Sequence, residues 1–415
     1  MSNHDIESAV SSAIKGVTSA WTREKRRADR ANRVSPSRLQ SLRRYVAPKV
    51  TIRDAAFEVM QSAYMKASAE GKYYANARQI MYAARPAILS RCDAEEFDDV
   101  YFTQTLLKDY IEEYDPDWKV VWDARGHLSE PHTRKRVSLG GIGVNDYVAR
   151  WRHDISLELP SMDFEVKTDG PGNRFGNVLF IEKEGFNEIL AHAKLGERFD
   201  IAIMSTKGLP VKAACDLIAA LNDKRVRTFV LRDFDYAGFK IVRTLRQGTR
   251  LAEGSPVIDL GLRIEDIAGL ESEPCSYTTR IDPRTYLRQC AGATPEECQM
   301  LVAGGYSGRW NGRRVEINAM TSDQLITLLE RKFAQHAVKK TIPNEKTLEQ
   351  AFKRAVILKR LQQQIEKLGE ELLEEDHLPV PPRLSTRIRA MLEQDPTISW
   401  DAAIAKWVAS TEVAA

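Results

Sequence analysis

The chain has 415 residues, 43% of them apolar, and a formal net charge of only +3. That length supports two to three domains with real cores, and the near-neutral total means that any nucleic-acid contact must come from local charge clusters. The five cysteines are scattered without a C-x-x-C pair, which excludes a zinc ribbon or a disulfide framework and fits a reducing compartment. There is no apolar run of about 20 residues and no signal-peptide core at the N-terminus, so a soluble, cytoplasmic protein with no membrane contact is expected.

Residues 1–53 read as a basic arm. Arg23, Lys25, Arg26, Arg27, Arg30, Arg33, Arg38, Arg43, Arg44, Lys49 and Arg53 crowd a stretch in which Glu24 and Asp29 are the only acids. Such a block can hold a phosphate backbone, and Arg26 and Arg27 are taken as its DNA contacts. A flexible arm, or a helix docked on an acidic partner, is the plainer alternative.

Residues 54–165 form a first domain. Helical periodicity runs from Ala55 to Tyr64, from about Asn76 to Leu89, and from Thr103 to a stop at Asp115-Pro116. Extended segments follow, with a turn at Ala124-Arg125-Gly126-His127. Three helices and then a hairpin is the order of a winged helix. On the second helix Arg78, Tyr82 and Arg85 share one face. A free phenol with a pKa near 10 is a poor nucleophile at neutral pH, and flanking guanidinium groups could hold a phosphate oxygen and favour the phenolate. A packed tyrosine with its hydroxyl at the surface gives the same pattern.

Asp169-Gly170-Pro171-Gly172-Asn173 reads as a linker rather than a nucleotide loop, since no Gly-Lys-Ser/Thr follows. The next domain spans 172–335. Three short apolar runs, Val178–Ile181, Ile201–Met204 and Thr228–Leu231, are each followed by a helical pattern. That is the rhythm of a parallel sheet with crossover helices, giving an α/β fold beside the α+β first domain. The runs end in Glu182-Lys183-Glu184, Ser205-Thr206-Lys207-Gly208-Leu209-Pro210 and Arg232-Asp233-Phe234-Asp235-Tyr236-Ala237-Gly238, at the strand ends where open α/β sheets place their sites. Asp233 and Asp235, two apart, point to one side of an extended chain. If the first and third runs are neighbours, Glu182 joins them. Carboxylates about 4 Å apart repel by roughly 4 kcal/mol at a surface-like dielectric, so the trio calls for a cation, and Mg²⁺ suits it. Gly238 allows a tight turn after the acidic pair. The tail, 336–415, is charged and helical in pattern, with Leu361, Ile365 and Leu368 at helical spacing, and carries no evident chemistry.

Glu182-Lys183-Glu184-Gly185, Thr206-Lys207-Gly208-Leu209-Pro210 and Asp233-Phe234-Asp235-Tyr236-Ala237-Gly238 together resemble the Toprim domain of the topoisomerase VI A-subunit/Spo11 family, the type IIB topoisomerases and their meiotic relatives. Tyr236-Ala237 and Leu209 depart from its usual residues, while the acids match. Arg78-Gln79-Ile80-Met81-Tyr82 resembles the family's run ending in the catalytic tyrosine, and segments at Leu260-Gly261-Leu262 and Arg314–Met320 resemble later family segments. The resemblance implies a winged-helix domain followed by a Rossmann-like Toprim domain. It implies a catalytic role for Tyr82, a phosphate-holding catalytic role for Arg78, and Mg²⁺ on Glu182, Asp233 and Asp235; Arg85, on the Tyr82 face, and Lys207 are expected to contact DNA. It further implies double-stranded DNA as substrate, a 5′-phosphotyrosyl link, a homodimer and, as a possible partner, a separate GHKL-type ATPase B subunit. Two other readings stand beside it: a Toprim nuclease that hydrolyses DNA with Tyr82 as a bystander, and a non-catalytic DNA-binding protein.

Overall fold

The computed structural model describes residues 21–27, 50–122, 126–133, 135–151, 161–206, 210, 212–248, 257–306, 308–374 and 381–410. The chain divides into two compact units, one running to Lys119 and including Asn318–Leu325, the other comprising Val120–Ile317 and the chain from Ile326 onward.

The first unit is helical. Helix α1 (Ile52–Ser68) is started by Thr51, whose hydroxyl accepts from the Asp54 amide, and it buries Ala55, Ala56, Val59, Met60, Ala63, Tyr64 and Ala67 along one stripe. Helix α2 (Ala77–Cys92) opens on a capping box in which the Arg78 amide donates to Asn76 Oδ1 and the Asn76 amide donates to Gln79 Oε1. The Gln79 side chain also donates to the Met320 carbonyl at 2.9 Å, and Ser322 Oγ donates to the Tyr74 carbonyl at 2.6 Å, which fastens Asn318–Leu325 to this unit. Pro86 sits inside α2 and cannot donate to the carbonyl of Tyr82, four residues earlier. A short turn and a π-helical stretch (Phe102–Leu106) lead into α3 (Leu107–Tyr114), which stops at Asp115 in the left-handed region, φ 46°. Arg53 pairs with Asp109 at 2.7 Å and with Glu113 at 3.5 Å, and stacks over Phe57. The helix ends expected from sequence are thus close to those observed.

The second unit begins with the hairpin β1 (His127–Ser129) and β2 (Arg136–Ser138), followed by α4 (Ile142–Ala149). Its centre is a four-stranded sheet of β3 (Asn177–Ile181), β4 (Ile201–Ser205), β5 (Arg227–Leu231) and β6 (Val257–Gly261), every pair parallel, in the order β4-β3-β5-β6. Helices α5 (Lys212–Asp223) and α6 (Tyr236–Gly248) supply crossovers. Phe180, Val230 and Val257 from the strands pack with Cys215 and Ile218 of α5 and Ile241, Val242 and Leu245 of α6. Burial of these side chains at roughly 1.5–3 kcal/mol each for the larger ones is what holds the sheet to its helices. All three apolar runs form the strands expected of them, and the first and third are neighbours.

Beyond the parallel sheet lies an antiparallel one that the sequence pattern does not announce: β7 (Glu273–Thr278), β8 (Gly304–Tyr306) and β9 (Arg309–Arg314), ordered β8-β9-β7. Between β7 and β8 stand α7 (Pro283–Cys290) and α8 (Pro295–Leu301). Helix α9 (Ser322–Gln335) follows, then the tail helices α10 (Glu345–Glu374), α11 (Leu384–Gln394) and α12 (Trp400–Ser410). Arg354 of α10 donates to the carbonyls of Asp163, Phe164 and Glu165. Among the described residues no helix is long and apolar enough to cross a membrane.

Candidate active site at the acid end of the parallel sheet

In-register pairing places Ile181 beside Leu231, so the next residues of β3 and β5 leave the sheet side by side. The Glu182 amide donates to the Leu231 carbonyl at 3.2 Å, and the Asp233 amide donates to Glu182 Oε2 at 3.1 Å. The backbone then bends into α6, where Asp235 Oδ1 accepts from the Gly238 amide at 2.6 Å. Asp235 is therefore a helix cap as well as a site acid. Gly238 is required for close approach rather than for a left-handed turn: a Cβ there would lie 2.4 Å from the Asp233 carbonyl oxygen.

The three acids feel one another. Burial first, then the negative charge of Asp233 and Asp235, pushes the Glu182 carboxyl up to about 8. Burial, then Asp233, also raises Asp235. Two carboxyls are thus held toward neutrality, first by burial and then by neighbouring charge, and groups perturbed in this way cluster at functional sites.

One cation is built in. Lys183 Nζ lies 2.8 Å from Asp233 Oδ2 and 2.8 Å from Glu316 Oε2. Burial works against its charge, but Asp233 and Glu316 outweigh it and raise its pKa. The other Asp233 oxygen accepts from the Ile317 amide at 2.8 Å. Glu316 is brought here by a single antiparallel bridge between Phe234 and Val315, whose amides and carbonyls exchange bonds at 2.8 and 3.1 Å. Arg314 in turn pairs with Glu316 at 3.2 Å and with Glu273 at 2.9 Å. From sequence the Arg314–Met320 segment stood out only as a family-like stretch, and neither Glu316 nor Lys183 received a role. A lone acid followed by Ile317 in an apolar context was the available signal.

Beneath the site Arg232 is fully buried, donating to Asp259 at 2.8 Å and to the carbonyls of Asp233 and Leu262, with its guanidinium 3.5 Å from the centre of the Phe239 ring. Burial favours the neutral form of Asp259, but Arg232 and Arg263 hold its carboxyl below the usual range. This pair fixes the turn that carries Asp233.

Among the described residues no three His, Cys, Asp or Glu side chains form a ready-made metal cage. Asp233 pairs instead with Lys183 and accepts from the Ile317 amide. The donor set still fits Mg²⁺, which takes one or two carboxylates and completes its shell with water and phosphate oxygens. Lys207 lies outside the described residues.

The other sequence candidates sit in the helical unit. Arg78 and Arg85 do converge, but on Asp99: Arg78 Nη2 is 3.5 Å from its carboxylate, and Arg85 Nη2 hydrogen-bonds it. The Arg85 guanidinium also lies over the Tyr82 ring at 4.8 Å and over Phe97 at 5.9 Å. Tyr82 is 5% exposed. Arg26 and Arg27 are exposed on a helical stretch, 21–27, and Arg26 stands 4.0 Å from Glu112 of α3. The acidic surface that faces this part of the arm is thus the chain's own.

Residues 177–290 match the family model for the Toprim domain of topoisomerase 6 A-subunit/Spo11 proteins. The match runs from β3 through α7 and includes Glu182, Asp233 and Asp235; Tyr82, Arg78 and Glu316 fall outside it. No curated protein matches the chain. Residues 177–290 of this chain are therefore similar to the Toprim domain of the topoisomerase 6 A-subunit/Spo11 proteins.

Proposed function

We propose that this protein cleaves double-stranded DNA with the help of Mg²⁺ at the acid end of its parallel sheet. The observation that carries the reading is the convergence of Glu182, Asp233 and Asp235, with the Glu182 carboxyl pushed up to about 8 by its buried, acid-rich surroundings. Glu182 and Asp235 would hold the cation, with Asp233 beside them. When bound, Mg²⁺ supplies Lewis-acid polarisation of the phosphate and stabilises the leaving oxygen. Lys183 pairs with Asp233 and holds its carboxylate in place.

The nucleophile we assign is Tyr82. Its phenolic oxygen bonds to phosphorus and gives up its proton, the P–O3′ bond breaks, and the 3′ oxygen leaves as a hydroxyl. A 5′-phosphotyrosyl link results, and its energy allows resealing without ATP. Arg78 and Arg85 would hold the phosphate from the same helix face. Residues 54–165 are read as a winged-helix module that grips the duplex, with Arg26, Arg27 and Lys207 as further contacts. A homodimer, a separate GHKL-type ATPase and work at the nucleoid complete the reading.

The burial of Tyr82 and the engagement of both arginines by Asp99 favour a second reading, in which water is the nucleophile and Tyr82 packs. A denaturing gel decides. Wild type incubated with Mg²⁺ and labelled duplex should leave protein covalently attached to the cut end, and Tyr82→Phe should abolish both attachment and cutting. Cutting by Tyr82→Phe at the wild-type rate would overturn the transesterification in favour of hydrolysis.

A further inference from the structure

The acid centre contains more carboxylate than the Glu182, Asp233 and Asp235 trio, because Glu316 enters it from outside the matched residues. Four acids so close could hold a pair of divalent ions, as two-metal nuclease sites do. Lys183 stands in the way. Its ammonium bridges Asp233 Oδ2 and Glu316 Oε2 at 2.8 Å each, and only 22% of its side chain is exposed. An ion bridging the same two oxygens would have to expel a buried ammonium group that is fixed by two charge-assisted hydrogen bonds.

The remaining oxygens show where a cation can still go. Asp233 Oδ1 accepts from the Ile317 amide, and Glu316 Oε1 faces Arg314. Both of these acids therefore have each oxygen engaged. Glu182 uses Oε2 on the Asp233 amide, and Asp235 uses Oδ1 on the Gly238 amide. Glu182 Oε1 and Asp235 Oδ2 are the acceptors with capacity to spare.

We infer that Lys183 occupies the place of a second divalent cation between Asp233 and Glu316, so that the acid centre loads one ion, on Glu182 and Asp235. Lys183 is a positioning residue: it holds Asp233 and neutralises Glu316 without touching DNA. The inference rests on the reading that this centre binds a divalent cation at all.

The test counts ions rather than turnover. Mn²⁺ is titrated into the full-length chain, with free Mn²⁺ followed by its EPR signal, and the count for Glu182→Gln/Asp235→Asn is subtracted as background. Wild type is expected to bind one Mn²⁺ at the centre, Lys183→Arg one, and Lys183→Met two. A wild-type count of two, or a count of one in folded Lys183→Met, would overturn the inference while leaving the metal-dependent reading intact. A count of zero in wild type would remove both. Since the wild-type count alone can refute the idea, it does not depend on Lys183→Met folding.

Discussion

The acid end of the parallel sheet and the Tyr82 face of α2 handle charge in opposite ways. At the sheet, two parallel strands in fixed register leave Glu182 and Asp233 side by side, and neither backbone can move without breaking the ladder. The negative charges cannot part, so protons and Lys183 answer them. On α2 the charged groups are long arginine side chains, and they turn to meet one nearby acid, Asp99. Excess charge persists where the backbone imposes it and is neutralised where flexible side chains can reach a partner. The first pattern suits the cation site proposed above. The second is that of a face whose cations are already engaged.

The strongest way to break this contrast is Asp235→Asn. The substitution keeps the shape and the Oδ1 acceptor of the helix cap but removes a site charge. Mg²⁺-dependent cleavage of plasmid DNA is expected to fall more than about 100-fold, as for loss of a transition-state charge stabiliser, with little change in melting temperature. Cleavage that survives would place the chemistry elsewhere. Next in size is Gly238→Ala. The new methyl would meet the Asp233 carbonyl oxygen at 2.4 Å, and backbone cannot yield as a side-chain tip does. A loss of about 1–3 kcal/mol in urea unfolding is expected, with weakened metal binding because Asp233 is displaced.

The same contrast explains what sequence could reveal. Strands β3, β4 and β5 announce themselves as short apolar runs, and their acids fall at the ends by simple position. Glu316 does not, because it reaches Lys183 from 133 residues away through one bridge outside any regular strand pair. The antiparallel sheet was equally hidden: Pro274, Gly304, Gly305 and Gly312 interrupt the pattern that marks strands. At α2 the shared face of Arg78, Tyr82 and Arg85 follows from helical spacing alone. Asp99, the acid that engages both arginines, lies beyond the helix end, and only the folded chain brings it back.

A smaller effect separates the two regions by pH. Glu182 titrates near 8 in the folded, metal-free protein against an ordinary 4.5, so between those values the folded state holds a proton that the unfolded state lacks. Its contribution to stability is present in full below pH 4.5 and is lost as pH rises through 8. Mg²⁺ must displace that proton, so its affinity should climb by up to about tenfold per pH unit toward 8. Thermal shifts with Mg²⁺ at pH 6, 7 and 8 measure this, and Glu182→Gln should flatten the trend. Equal Mg²⁺ affinity at pH 6 and pH 8 would show that Glu182 is not the titrating ligand.

The smallest expected effect bears on α2. Asp99→Asn removes the charge that draws Arg78 and Arg85 together. If those guanidiniums serve phosphate, their release should raise affinity for a short duplex by about two- to fivefold at low salt and steepen the salt dependence by up to about one unit of slope per phosphate gained. The cost to stability should be about 1–2 kcal/mol, between an exposed and a buried pair, because Arg85 is the more buried partner of Asp99. A rise in DNA affinity together with more protein–DNA adduct would mean that Asp99 restrains a catalytic face. Lost stability with unchanged DNA binding would mean that Arg85 clamps the Tyr82 ring as core packing, and the hydrolytic reading would then hold the chain's chemistry entirely at the sheet.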